Sequence, residues 1–179
     1  MNYLSQYYYK SAAKDTIQSL VTTYPDDPSQ GSPFSTGLYN VLYPQFKRLS
    51  ALLGDVAFTL PRRMFLESSL ALRPYVPTWS YISSYYYGTN VLGTFHGADL
   101  LVSYGLTPGY PTLSVQTYYI NFIYHMNPNT GTQGLVTWPA WGYQKSCLFI
   151  AADGNSYIAD DFRNTSYAYF QKNINHFRL

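Results

Sequence analysis

One segment of the chain, PTWSYISSYYY at 77–87, has the aromatic and β-branched residues that are typical of a β-strand. Two further candidate strands, at 134–138 and 147–150, are short, and the remaining periodic segments favour helices. A single good strand cannot form a sheet on its own. The sequence therefore predicts a helix-rich α/β chain whose main strand takes partners from polypeptide outside these 179 residues.

The predicted helices follow from apolar residues that recur every three to four positions. Pro61 is expected to divide a long helical segment in two, because proline lacks the backbone donor that a helix interior needs. A loop rich in Pro, Gly, Asp and Ser is predicted at 24–37. The predicted helices cover residues 4–23, 44–72 (with the break at Pro61), 110–126 and 165–176. One further helix is predicted to begin near Gly97.

His96 lies in the segment VLGTFHGADLL at 91–101, where every neighbour except Asp99 is apolar, small or glycine. It follows the predicted strand and precedes a predicted helix, and Asp99 is expected in the first turn of that helix, where a carboxylate suits the positive end. From these residues alone, a core histidine bonded to a backbone carbonyl and a catalytic base both fit. His125 and His176 are expected on helix surfaces.

Four segments together resemble one family of enzymes. They resemble, in order and spacing, the C-terminal part of fungal type B carboxylesterases and lipases, which are α/β-hydrolases related to the cholinesterases. The resemblance spans nearly the whole chain and is weakest in the first dozen residues. It implies one incomplete α/β-hydrolase domain over residues 1–179, helix-rich with few strands. The segments are GSPFSTG (31–37), PQFKRLSALLGDVAFTLPRR (44–63), VLGTFHGADL (91–100) and NPNTGTQGLVTWPAW (127–141).

Enzymes of this family are described as splitting carboxylic esters with a serine, an acid and a histidine, in that chain order. The resemblance implies that His96 is the catalytic base, which accepts the serine hydroxyl proton. The sequence contains neither a G-x-S-x-G motif nor an HGG-type oxyanion loop, and no acidic residue before His96 matches the family's acid. Loss of a triad serine alone costs roughly a million-fold in turnover. The chain by itself is therefore expected to be inactive.

The resemblance also implies that part of the acyl-chain pocket lies in this chain. A pocket for fatty acyl chains is itself apolar, so ordinary core packing accounts for the same side chains equally well. The three tyrosines at 85–87 are expected to pack as ordinary strand residues. The implied pocket residues are Leu52, Leu53, Val56, Phe58, Phe95 and Leu100.

Composition excludes several kinds of partner. The net charge is +2 and no basic cluster is larger than an adjacent pair such as Arg62-Arg63, so no nucleic-acid surface is predicted. The single cysteine, Cys147, cannot form an internal disulfide, and the 3 histidines lack the close spacing of metal ligands. No metal or other cofactor is predicted. The implied partners are an ester or lipid substrate and the N-terminal portion of the same fold.

The sequence also bears on location. No run approaches the roughly eighteen apolar residues of a membrane-spanning helix, and the first ten residues do not have the pattern of a signal peptide. The family resemblance implies an extracellular protein. The low charged fraction of 11% and the glycosylation motif Asn164-Thr165-Ser166 fit an extracellular surface.

Two other interpretations remain open from the sequence. Aromatic residues make up 19% of the chain, including 21 tyrosines, which also fits a non-catalytic binding module with an aromatic-rich surface. Alternatively, the chain is an enzyme with an unrecognised nucleophile, such as Ser83 or Ser103. Binding to a polysaccharide gel distinguishes the first alternative, and labelling by a fluorophosphonate probe distinguishes the second.

Overall fold

The computed structural model describes residues 1–177, and the chain divides into two compact units. The first unit contains Met1–Ser68 together with the chain from Asp161 onward, and the second contains Ser69–Asp160. In chain order the α-helices are α1 (Lys14–Thr22), α2 (Phe46–Gly54), α3 (Leu60–Leu72), α4 (Ala98–Ser103), α5 (Tyr110–His125) and α6 (Asn164–Lys172). The strands are β1 (Tyr81–Ser83), β2 (Ser146–Ile150) and β3 (Asn155–Ala159). Single π or 3-10 turns lie at Leu4–Tyr8, Pro28–Gln30, Asp55–Thr59 and Ile174–His176.

The long N-terminal helix predicted at 4–23 is interrupted. A π-helical turn closes with a bond from the Tyr9 amide to the Leu4 carbonyl (2.6 Å), and regular helix resumes only at Lys14. The reason is tertiary, because the Tyr9 ring is buried against Phe177, with ring centroids 4.9 Å apart. The helix predicted from 165 is confirmed as α6, which ends at Lys172 before a 3-10 turn.

The predicted division into two α-helices near Pro61 is confirmed, but a π-helical turn joins them and the helical backbone is not broken. Helix α2 ends at Gly54, the π-helical turn Asp55–Thr59 follows, and Pro61 is the second residue of α3. The Leu60 amide still donates to the Asp55 carbonyl, so the backbone stays helical up to the proline. The proline is therefore accommodated by a π-helical turn just before it, and not by a gap between two helices.

One hydrophobic core joins the two chain segments of the first unit. Residues from the N-terminal helices pack together with residues of α6 and the segment after it, where the rings of Phe170 and Phe177 stack at 5.5 Å. The buried members are Leu4, Tyr9, Ile17, Leu20, Tyr24, Ala51, Leu52, Val56, Leu60, Tyr167, Phe170 and Phe177.

A buried ion pair links the same two segments. The Asp55 carboxylate, 2% exposed, contacts the Arg163 guanidinium and accepts a hydrogen bond from the Tyr24 hydroxyl at 3.1 Å. Burial raises the pKa of Asp55, and the charge of Arg163 opposes that rise. Arg63, 1% exposed, donates to the Phe162 carbonyl at 3.0 Å.

The second unit contains a three-stranded sheet in the order β1-β2-β3. Strand β1 runs parallel to β2, with Tyr81 opposite Leu148, and β2 runs antiparallel to β3. The expectation that the main strand has its partners only outside the chain is therefore wrong, because β2 pairs with it. Strand β1 lies at one edge of this sheet.

The predicted strand at 77–87 is mostly not strand. Only Tyr81–Ser83 is paired as a strand, and Tyr86 adopts a φ of 62°, which belongs to a turn and not to a sheet. The expectation that the tyrosines at 85–87 pack as strand residues is thus wrong. The strand predicted at 147–150 is confirmed as β2.

Two other strand assignments also differ from the sequence prediction. Residues 134–138 form irregular structure and not a strand; Trp138 at their end is buried, and its indole donates to the Ser80 carbonyl at 2.9 Å. Strand β3 was not predicted, although Asp153-Gly154 between two short apolar runs is a known hairpin signal.

A second core packs helices α4 and α5 on the sheet. The Trp138 ring meets Tyr118 and Tyr81 edge-on, with centroids 5.4 and 5.8 Å apart. Trp141 is also buried and donates from its indole to the Asp160 carboxylate at 2.8 Å. The buried members of the core are Val102, Val115, Tyr118, Trp138, Leu148 and Ile150.

Replacing Arg163 by Met should destabilise the first unit by about 3 kcal/mol, because Asp55 is left as a buried charge without its cation. The loss should be smaller at acidic pH. Without Arg163 the folded-state pKa of Asp55 rises further, so the electrostatic part of the penalty grows with pH between the parent's folded-state pKa and the variant's. It is absent at a pH low enough to protonate the carboxyl in both proteins. Hydrogen exchange of the α1 and α6 amides measures this change.

Arg73→Met is the matched control, because Arg73 is exposed. Equal exchange rates for the two variants at neutral pH would show that the pair does not hold the unit together.

Candidate active site

The chain reaches His96 through a series of turns. After β1 ends at Ser83, amide-to-carbonyl bonds from Tyr87 to Ser84 (3.1 Å) and from Gly93 to Thr89 (2.8 Å) keep the backbone folded without regular structure. The prediction that His96 comes directly after a strand is therefore wrong in detail. The helix predicted to begin near Gly97 is confirmed as α4.

His96 occupies the second position of a tight turn. The Ala98 amide donates to the Phe95 carbonyl at 3.1 Å, which closes the four-residue turn 95–98. Gly97 has φ 86° and ψ −1°, the values that a type II turn requires at its third position and that favour glycine there. A side chain at the tip of such a turn points outward, and the imidazole of His96 is exposed.

Asp99 lies in the first turn of α4, as predicted. Its carboxylate accepts a hydrogen bond from the Tyr81 hydroxyl at 3.1 Å, and that hydroxyl accepts one from Tyr119 at 3.2 Å. Burial raises the pKa of Tyr81, and the Asp99 charge raises it further. The Tyr81 hydroxyl therefore stays protonated and serves as the donor to Asp99.

A small cavity lies beside this hydrogen-bonded group. Its volume is about 10 Å³, at the lower limit for one water molecule and far too small for an ester substrate. Ser83 and Ser103, the alternative nucleophiles, both line it, whereas His96 does not. The lining residues are Tyr81, Ser83, Asp99, Val102, Ser103, Val115, Tyr119 and Ile150.

Four of the six predicted pocket residues belong to the first unit. Leu52 and Val56 are buried members of its core, and Leu53 packs against that core while partly buried. Phe58, in the π-helical turn after α2, is 55% exposed. Core packing thus describes Leu52 and Val56 in this structure, and Phe58 is the member of the four with an accessible ring.

The other two predicted pocket residues flank His96 in the second unit. Phe95 precedes it and is partly buried, with its ring centroid 6.0 Å from that of Tyr86. Leu100, on the first turn of α4, is 54% exposed. Their role in binding an acyl chain remains a prediction.

The remaining histidines lie where the sequence predicts. His125 ends α5 and His176 lies in the last 3-10 turn, and both are exposed. Within residues 1–177, no three His, Cys, Asp or Glu side chains are grouped so that they can hold a metal ion. None of the helices in that part of the chain is long and apolar enough to cross a bilayer.

Sequence reasoning missed the hydrogen-bonded group formed by Tyr81, Asp99 and Tyr119. The three residues come from β1, α4 and α5, and nothing in their spacing predicts that they meet. The available signal was weak. A tyrosine in a strand and an acidic residue three positions after the candidate histidine are each common features.

Comparison with known proteins identifies relatives over almost the whole chain. The chain is 47% identical over 175 residues to the secreted triacylglycerol lipase LIP1 of Gibberella zeae, covering 97% of this chain and 30% of that protein. It is 45% identical over 179 residues to secreted lipase 1 of Botryotinia fuckeliana, covering 99% of this chain and 31% of the relative. The chain thus spans about a third of the length of these relatives. No protein-family model matches it.

Among solved structures, the crystal structure of Aspergillus niger EstA is similar with a TM-score of 0.75 at 19% identity. The similarity covers 96% of this chain and 35% of EstA. At this identity the likeness concerns the fold, and it confirms the predicted partial α/β-hydrolase fold.

Gly97→Ala should destabilise the second unit by about 1–2 kcal/mol, because an L-residue with a side chain is strained at this positive φ. The added Cβ meets only the Leu100 side chain, at 3.9 Å, so the cost is conformational and not steric. Urea unfolding followed by tryptophan fluorescence measures it, because all 3 tryptophans lie in the second unit.

Gly88→Ala is the matched control, since a Cβ at Gly88 meets nothing within 4 Å and its φ lies outside the left-handed region. Gly97→Asn should cost less than Gly97→Ala, because asparagine tolerates positive φ. A Gly97→Ala variant as stable as the Gly88→Ala variant would contradict the assignment of the turn.

Proposed function

The chain belongs to the fungal lipase and carboxylesterase family, as a C-terminal part of its α/β-hydrolase fold, and from this premise we propose that His96 is a catalytic base. The reaction is hydrolysis of a carboxylic ester by a serine enzyme. The observation that carries the proposal is the position of His96, an exposed imidazole at the tip of a glycine-dependent turn, within the segment that resembles the family.

In the proposed reaction, the His96 imidazole accepts the proton of a serine hydroxyl as the serine oxygen attacks the ester carbonyl. The resulting imidazolium returns that proton to the alkoxide leaving group when the tetrahedral intermediate collapses to an acyl-enzyme. His96 then takes a proton from water, whose oxygen attacks the acyl carbonyl, and gives it back to the serine.

The serine, the triad acid and the oxyanion donors must come from polypeptide outside this sequence. No G-x-S-x-G motif or HGG-type loop occurs in the 179 residues. We therefore expect the chain to lack esterase activity on its own. The N-terminal portion that the relatives contain is the partner that would complete the site.

Strand β1 offers the edge where that partner would join. It lies at the end of the sheet and is parallel to β2. Parallel sheets occur almost only with both faces covered and with several strands, so a two-strand parallel pair is a natural place for extension. Additional parallel strands beyond β1 would bring the serine and the acid into the same sheet as the segment that leads to His96.

The substrate side of the proposal concerns the acyl chain. The relatives are named as a triacylglycerol lipase and a lipase, which supports a lipid or ester substrate for this chain by resemblance. Their description as secreted supports an extracellular location in the same way. Of the residues that flank His96, Leu100 is exposed and therefore available to contact an apolar acyl group.

A reassembled enzyme tests the base. The N-terminal portion of the Botryotinia relative, fused in front of this chain, should restore esterase activity. His96→Ala in that fusion should lower turnover by at least about a thousand-fold, because the nucleophile loses its proton acceptor. Initial rates with a soluble chromogenic ester provide the measurement.

His125→Ala and His176→Ala are the matched controls and should remain within a few-fold of the parent fusion. A folded His96→Ala fusion that keeps most of its activity would rule out the base. The chain alone should not react with a fluorophosphonate probe; labelling would support Ser83 or Ser103 as nucleophile. Retention on a polysaccharide gel would instead support a binding module.

The contribution of Leu100 to an acyl pocket is tested in the same fusion. Leu100→Ser should raise KM for a long-chain ester about tenfold while leaving KM for an acetyl ester nearly unchanged, because only the long chain loses apolar contact. Leu106→Ser is the control, since Leu106 is also exposed and lies beyond α4. Equal effects of the two substitutions on both esters would remove Leu100 from the pocket.

A further inference from the structure

The helix that follows His96 is too short to be stable by itself. Helix α4 has 6 residues, whereas isolated helices below about twelve residues are marginal in water. Two of its side chains, Ala98 and Val102, are buried and fix it through apolar packing. Apolar packing of two small side chains is not directional, and the hydrogen bond from the Gln116 side chain to the Ser103 carbonyl (3.2 Å) holds the last residue of the helix. The direction of the first turn therefore needs a directional contact of its own.

That contact is the hydrogen bond between Asp99 and Tyr81. The Tyr81 hydroxyl donates to the Asp99 carboxylate at 3.1 Å, and hydrogen bonds to a charged acceptor are about twice as strong as neutral ones. Asp99 is three residues from His96, and the bond from the Ala98 amide to the Phe95 carbonyl connects the first turn of α4 to the turn that carries His96.

The donor side of this bond is rigid. Tyr81 belongs to β1, which pairs with β2, and its ring packs edge-on against Trp138 at 5.8 Å. The Tyr119 hydroxyl, from α5, donates to the Tyr81 hydroxyl at 3.2 Å. With its oxygen accepting from Tyr119, the Tyr81 hydroxyl directs its own proton to Asp99, so the order of donors is fixed from α5 through β1 to α4.

We propose that Asp99 is a positioning residue, which holds the turn bearing His96 in a fixed orientation by anchoring the start of α4 to Tyr81 on β1. This inference rests on the proposed role of His96 as a base. It differs from the general effect of a carboxylate at a helix start, because it requires a specific acceptor at Asp99 and a specific donor at Tyr81.

The test uses the reassembled enzyme described above. Asp99→Ala and Tyr81→Phe should each lower kcat by about tenfold to a hundredfold with KM changed less than about twofold, since a base misplaced by an ångström slows proton transfer more than substrate binding. The double variant should be no slower than the slower single variant, because both remove the same bond.

Asp99→Asn separates positioning from charge. The asparagine oxygen still accepts from Tyr81, so this variant should retain kcat within a few-fold of the parent. Tyr104→Phe, which alters an exposed tyrosine just after α4, is the matched control. If Asp99→Asn were as slow as Asp99→Ala, the charge and not the hydrogen bond would be responsible, and the proposal would fall.

Hydrogen exchange of the chain itself gives a second readout that needs no activity. Asp99→Ala and Tyr81→Phe should increase deuterium uptake several-fold in the peptide that covers residues 94–101, and Asp99→Asn should not. Unchanged uptake in all three variants would overturn the inference.

The outcomes separate this inference from the proposed function. If His96→Ala abolishes activity while Asp99→Ala keeps normal kcat, His96 is the base and Asp99 does not position it. If His96→Ala leaves activity intact, the proposed base is wrong and the role of Asp99 falls with it.

Discussion

The ion pair between the buried Asp55 and the partly buried Arg163 is the contact that we expect the first unit to depend on. It joins a segment near the start of the chain to one near its end, and the whole second unit is the connection between them. Closing so long a loop costs conformational entropy, although each doubling of loop length adds only about 0.6 kcal/mol. The ion pair, the Tyr24 hydrogen bond and the aromatic core around Phe177 offset that cost together.

The chain contains few charged residues, and several of them are buried. Only 11% of residues are charged, yet Lys47, Asp55, Arg63 and Asp160 are all buried. Lys47, for example, donates to the Thr36 hydroxyl at 2.7 Å and to the Gly37 carbonyl at 2.8 Å, so its ammonium fixes a loop from inside. A buried charge demands partners with defined geometry, which makes such contacts more specific than apolar packing of the same area.

Local signals in the sequence predicted most of the helices, although not the interruption of the first one before Lys14, and predicted the sheet poorly. Pro61 and the apolar periodicity are effects within a few residues, so the division before α3 and the length of α5 follow from the sequence. The strand predicted at 77–87 is observed only at Tyr81–Ser83. A strand forms only where another backbone pairs with it, and that pairing is not a local property of the sequence. The start of a helix just after His96 was also predictable, because it too depends on residues close in sequence. The link from His96 to Tyr81 through Asp99 was not predictable from local sequence.

A catalytic base that serves a nucleophile from another segment faces two opposing demands. It must be exposed on its own segment, because the serine reaches it from outside, and the turn built on Gly97 provides that exposure. It must also be held within a fraction of an ångström, and part of that precision can come from the backbone that bears the side chain. In the proposed arrangement this contribution comes from behind the turn, through the backbone that connects His96 to Asp99 and through the hydrogen bond that Asp99 accepts from the Tyr81 hydroxyl on the sheet. If both proposals hold, the sheet to which further strands would be added is also the element that sets the orientation of His96.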